Sequence, residues 1–217
     1  MKKRVLAVLV FMGILLSGCT KLEIDIKIKQ GGKTDVSFLY ATKEANGSYS
    51  QGGLSQEDYS DLIDWGYEIE DYSSGDYSGY IATKQNVDLL SCFFVDSEES
   101  YIEHNGLTEV MNIQFLSDSE RDTLDQMRAS SSTYKNAGAS FIVRMTFPTK
   151  PSNHNATFVT NGGKTLEWDL LETSGPAYVE YSLISTETWM VLCACIIAIV
   201  LFLYSYKKKQ DKKQIES

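Results

Sequence analysis

The side chains with the type and spacing for chemistry are few: four cysteines, two histidines, a row of aspartates and two Gly-Lys-Thr triplets. Gly32-Lys33-Thr34 and Gly163-Lys164-Thr165 match the end of a phosphate-binding loop. Five positions before the glycine stand Lys27 and Phe158, where that loop needs a second glycine, so both triplets read as hairpin turns. Gly75-Asp76-Tyr77-Ser78-Gly79 misses the spacing of a nucleophile elbow and has no strand-to-helix context. His104 and His154 stand in polar loop sequence without a ligand-spaced partner, which argues against zinc catalysis and a Ser-His mechanism. Asp58, Asp61 and Asp64 share one helical face, but without the glycine and terminal glutamate of a calcium loop they read as a solvated face. No catalytic residue, cofactor site or metal ligand is therefore expected, and the chain is not expected to be an enzyme.

Cys19 is different. Lys2, Lys3 and Arg4 precede an apolar run over residues 5–16, which ends in Leu16-Ser17-Gly18-Cys19. A basic start, an apolar middle and small residues before a cleavage point make an export signal. As a helix the run would rise about 18 Å, well short of a hydrocarbon core of about 30 Å. The four residues resemble the bacterial lipobox, whose cysteine is acylated (palmitate is a typical chain) before cleavage in front of it. Thiolate chemistry suits that step, because it is the strongest side-chain nucleophile near neutral pH. Residues 1–18 thus read as a lipoprotein signal peptide and Cys19 as the lipidation site.

Of 20 basic residues, three lie in residues 1–18 and five after Tyr206; of 29 acidic ones, two follow Tyr206. The exported part keeps 12 basic against 27 acidic side chains, a net −15. Nucleic acid is excluded as a partner, since polyanions would be repelled, and neutral or cationic ligands suit the net charge better. Cys193 and Cys195 lie in an apolar segment, which leaves Cys92 alone after Cys19, so no disulfide framework is available. Cys92, beside Phe93 and Phe94, reads as a small buried apolar residue.

Residues 188–206 carry no charge, have Trp189 at one end and Tyr204 and Tyr206 at the other, and precede Lys207-Lys208-Lys209. They predict a transmembrane helix of about 28 Å. The positive-inside rule then makes residues 207–217 a basic cytoplasmic tail and leaves residues 19–187 as an extracytoplasmic domain at the cell membrane. Two tethers follow from this reading, a lipid anchor and a single spanning helix. On it, a Cys19→Ser chain is expected to stay membrane-bound.

The exported domain reads as mostly strands. Leu22, Ile24, Ile26 and Ile28 alternate with charged residues, and Val36, Phe38 and Tyr40 resume the alternation after a Gly-Gly turn, giving a hairpin. A helix starts near Ser55 with Leu62, Ile63 and Trp65 inward, and a second hairpin runs over 67–82. Asn86 reads as the cap of a short helix, 96–105 as an acidic loop, 107–115 as a strand, 117–127 as a helix and 129–138 as a linker. Phe141, Val143, Met145 and Phe147 mark a further strand, Leu166, Trp168 and Leu170 the second arm of a third hairpin, and Val179, Tyr181 and Leu183 the last strand. Six tyrosines between Tyr49 and Tyr80 could form a partner surface, but half-buried strands also favour tyrosine.

Over about residues 22–183 this pattern resembles the LppM-domain family of bacterial lipoproteins. The resemblance is carried by the hairpin directly after Cys19, by Trp65-Gly66-Tyr67-Glu68-Ile69 leading to Tyr77-Ser78-Gly79-Tyr80, and by Phe147-Pro148, Asn161-Gly162 and Leu166-Glu167-Trp168-Asp169-Leu170. It departs at Thr149, where glycine is usual, and in a longer insertion over about 104–138. It implies an α+β fold, a curved antiparallel sheet with a few helices, no catalytic residues, and binding of an envelope lipid or glycolipid in a sheet-and-helix cavity. The function read from the chain is a membrane-anchored, non-enzymatic surface lipoprotein binding an envelope component. A structural or regulatory partner of another membrane protein, and an enzyme with an unrecognised site, are the alternatives.

Overall fold

The structure, a computed structural model, describes residues 20–215 apart from 30–31, 44–55, 117, 183 and 185. Strand β1 (Thr20–Ile28) buries Leu22, Ile24, Ile26 and Ile28 and turns its charged residues outward, as the strict alternation requires. It pairs antiparallel with β2 (Thr34–Lys43) in a hairpin with Ile24 opposite Phe38. Beyond β2 the chain forms helix α1 (Gln56–Asp64) and the hairpin β3 (Glu68–Ser74) and β4 (Tyr77–Val87). A 3-10 turn (Leu89–Ser91) leads to β5 (Tyr101–Asn105) and β6 (Thr108–Ile113), then to helices α2 (Asp118–Arg128) and α3 (Ser131–Ala137). Strands β7 (Ser140–Thr146), β8 (Asn153–His154), β9 (Phe158–Thr160), β10 (Thr165–Asp169) and β11 (Ala177–Ser182) complete the α+β domain.

Two sheets result: seven strands in the order β3-β4-β2-β1-β7-β10-β9, and four in the order β5-β6-β11-β8. Both supply one apolar core, in which Trp168, Tyr80, Tyr181 and Phe141 are the largest fully buried side chains. On the outer face of the larger sheet, Arg144 joins three strands by donating to Asp25 at 2.7 Å and Glu167 at 3.0 Å.

The expected single antiparallel sheet is corrected on two counts. There are two sheets among the described residues, and β1 runs parallel to β7, with Ile24 beside Val143 and Ile26 beside Met145. Period-two alternation selects which face is buried and is blind to the direction of the neighbouring strand. Tyr101–Asn105 is an edge strand where a loop was expected, because its exposure on both faces removes the alternation that would mark it. Ser131–Ala137 is helical where a linker was expected, ended by Gly138 at φ 95°. Asn86 caps nothing: it takes φ 57° at an irregularity in the β2–β4 pairing, and the Asp88 carboxylate caps the following turn by accepting from the Leu90 amide at 3.2 Å. Ile63 is 58% exposed, while Leu62 alone of that pair enters the core.

The transmembrane helix expected over 188–206 is also corrected. Residues after Leu183 form a separate unit containing helix α4 (Thr186–Ile215). Among the described residues no helix is long and apolar enough to cross a membrane. The expected cytoplasmic tail, and membrane retention of a Cys19→Ser chain, rested on that span and lose their basis with it.

Gly79 shows how closely β4 and β2 approach. A Cβ built on it would lie 2.0 Å from the Tyr40 carbonyl oxygen and 2.7 Å from the Ala41 Cα, both backbone atoms that cannot swing away. Gly79→Ala is expected to cost at least about 3 kcal/mol of unfolding free energy in chemical denaturation. Gly75→Ala, at φ 61° in open space, should cost only about 1 kcal/mol.

Candidate functional site

Helix α1 stops because Gly66 takes φ 80°, a left-handed conformation that closes the helix end, with the Gly66 amide donating to Ile63 and the Tyr67 amide to Leu62. This turn sets Trp65 and Tyr67 beside Lys84 of β4, beside Ser91 at the end of the 3-10 turn, and beside Cys92 and Phe93, which follow it. These residues, with Asp64 and Val87, line a pocket of about 380 Å³. That volume falls at the lower end of small-molecule sites.

Phe93 organises the aromatic wall. Its ring meets Trp65 at 5.7 Å, Tyr67 edge-on at 5.7 Å and Phe38 edge-on at 5.3 Å, which ties the wall to the sheet below. The Lys84 ammonium donates to the Trp65 carbonyl and stands 5.3 Å above the Tyr67 ring; among the described residues no carboxylate pairs with it. The Cys92 thiol donates to the Asp88 carbonyl at 3.7 Å, and the Tyr67 hydroxyl stands near its sulfur. Burial pushes the Cys92 thiol up to about 11 and raises the Tyr67 hydroxyl further above its ordinary value. Cys92 is thus neutral at physiological pH and a poor nucleophile.

A second constellation lies across the smaller sheet. Glu109 on β6, only 2% exposed, stands between His104 of β5 and Tyr181 of β11, its directly opposed neighbours on either side. His104 Nδ1 lies 2.9 Å from Glu109 Oε1, and the Tyr181 hydroxyl donates to Oε2. Burial, and then the Glu109 acceptor, raise the Tyr181 hydroxyl well above its ordinary value. The row holds a buried carboxylate and ties three strands together. His104 itself is exposed, and no described pocket opens on it.

Cys19 lies outside the described residues. Cys92 is buried as expected, and its place in the pocket wall becomes visible only in the fold. Asp64 lines the pocket, apart from any cation cluster: among the described residues no group of three metal-ligating side chains forms. Tyr67 and Tyr80 are buried, so two of the six clustered tyrosines cannot form a partner surface. His154 accepts from the Ala156 amide at 3.3 Å within its own turn. Sequence reading passed over the aromatic pocket and the Glu109 row. Glu109 had left a trace, since it shares the inward face of its strand with Met111 and Ile113 and a carboxylate there must find partners.

No family model matches the chain, and no curated protein matches it. Among solved structures, the NMR structure of the folded domain of LppM from Mycobacterium tuberculosis is similar, with a TM-score of 0.47 and 13% identity over 78% of this chain and 93% of that one. This is a distant likeness.

The raised thiol and phenols make alkaline stability diagnostic. A group held protonated by the fold contributes stability below its unfolded value and loses it as pH rises toward its folded value. Stability should therefore begin to fall above about pH 9 as the unfolded Cys92 thiol ionises, with the loss continuing to about 11. In Cys92→Ala that part of the slope should vanish in denaturation series from pH 8 to 11. Glu109→Gln, which weakens a buried row, is expected to cost about 1–3 kcal/mol by the same measurement at pH 7.

Proposed function

We propose that this chain is a lipid-anchored, non-enzymatic binding module of a bacterial envelope membrane, and that the pocket between Trp65, Tyr67, Lys84 and Phe93 takes a lipid, glycolipid or other envelope component. The observation that supports this most directly is the pocket: aromatic side chains fixed by Phe93 to the core, with at least as much polar as apolar surface open to the pocket. The neutral, buried Cys92 supports a binding role over a nucleophilic one.

Anchoring through Cys19 gives the pocket a position. β1 begins at Thr20, so an acylated Cys19 holds that end of the larger sheet at the bilayer. Lys84 pairs with Val36, which pairs with Ile26, placing the pocket about 20 Å along the strands from the anchored end. On this reading the pocket samples material beyond the immediate headgroup layer.

Two experiments bear on the two halves of the proposal. Native mass spectrometry of the full chain purified from a bacterial envelope should show a fraction with bound mass above that of the acylated protein, reduced at least tenfold in Trp65→Ala. A single acylated mass that does not respond to envelope lipid extracts would exclude the binding role. Metabolic labelling with an alkyne palmitate should mark the wild-type chain and fail on Cys19→Ser; equal labelling of both would remove the anchor.

A further inference from the structure

The pocket that the proposed function relies on holds one lysine, Lys84, in a domain whose net charge is negative, and one carboxylate, Asp64. With 27 acidic side chains against 12 basic ones, a lysine in an exported cleft has many carboxylates available to it. Three lysines of the domain use them: Lys29 pairs with Asp35 at 2.6 Å, Lys43 with Asp76 at 3.5 Å, and Lys135 with Asp169 at 2.7 Å, while Lys21 lies over the Tyr77 ring at 4.3 Å. Lys84 is instead held by the Trp65 carbonyl and the Tyr67 ring, two groups that fix an ammonium without neutralising it. Even Asp64, which lines the same pocket, does not come within ion-pair distance among the described residues.

Resting on the binding role, we propose that the pocket's ligand is an amphiphile with an anionic group, a phosphate or carboxylate seated on the Lys84 ammonium while its apolar or ring body lies against Trp65 and Phe93. The ammonium has three donors and one is spent on the Trp65 carbonyl, so others remain for the ligand's oxygens. The −15 of the domain does not forbid this. Surface charges farther than about 8 Å are screened at physiological ionic strength, whereas a contact within the pocket is not. Net charge excludes polyanions that cover the surface and leaves a single anionic headgroup free to bind.

The test uses the full chain in phosphatidylcholine nanodiscs and three soluble probes: 1-naphthyl phosphate, 1-naphthol and inorganic phosphate, followed by isothermal titration calorimetry. Naphthyl phosphate should bind about tenfold more tightly than naphthol, the scale of one charge-assisted hydrogen bond. Lys84→Met should abolish that preference while leaving naphthol binding unchanged, and Lys84→Arg should retain it. Trp65→Ala should weaken both naphthyl probes. Equal affinity of naphthol and its phosphate, or a preference that survives Lys84→Met, would overturn the anionic-group assignment while leaving the pocket as a binding site. Binding of neither naphthyl probe would count against the pocket itself. Inorganic phosphate binding as tightly as naphthyl phosphate would overturn the amphiphile and identify a free-anion site. Should Lys84→Met fail to fold, the comparison of the three probes on the wild-type chain still decides among these outcomes.

Discussion

The domain depends on one constraint, the burial of β1 between two partners that arrive from opposite ends of the chain. Leu22, Ile24, Ile26 and Ile28 need neighbours on both sides of the strand to leave water. β2 supplies one side at once, through a short hairpin. The other side waits for β7, so the parallel pairing of Lys21 through Lys27 with Ser140 through Thr146 closes a loop of more than a hundred residues. α1, the β3–β4 hairpin and the β5–β6 hairpin lie within that loop. Arg144 then clips the closure on its outer face through Asp25 and Glu167.

The aromatic pocket is a consequence of that arrangement. β4 packs on β2, and α1 must therefore return to the sheet through the sharp turn at Gly66. The 3-10 turn after β4 brings Phe93 up against Trp65 and Tyr67 from the other side. Phe93 also rests on Phe38, so the wall inherits the rigidity of the core, which is what a binding surface needs to avoid ordering costs on binding.

Charge acts here on two length scales. The excess of acid over base is spread along residues 19–206. Within a few ångströms, geometry decides instead. Glu109 is accommodated in the interior because His104 and Tyr181 stand on the adjoining strands, and the Lys84 ammonium is positioned in a cleft by a carbonyl and a ring. Neither arrangement can be read from a count of charges.

The alternation in β1, β2, β7 and β11, the Gly-centred turns and the Leu166–Trp168 hairpin were legible in the sequence, because each is a local periodicity whose physical cause, one buried face, lies within a few residues. So was the burial of Cys92. At the far end an uncharged run with aromatic ends and a basic stop reads as a transmembrane span, and no described helix is long and apolar enough to be one. Only the tertiary structure decided that β1 and β7 run parallel, that the strands divide into two sheets, and that Trp65, Lys84 and Phe93 share a pocket. These depend on contacts between residues tens of positions apart, and a side chain's pattern along its own strand carries no record of which distant strand or turn will face it.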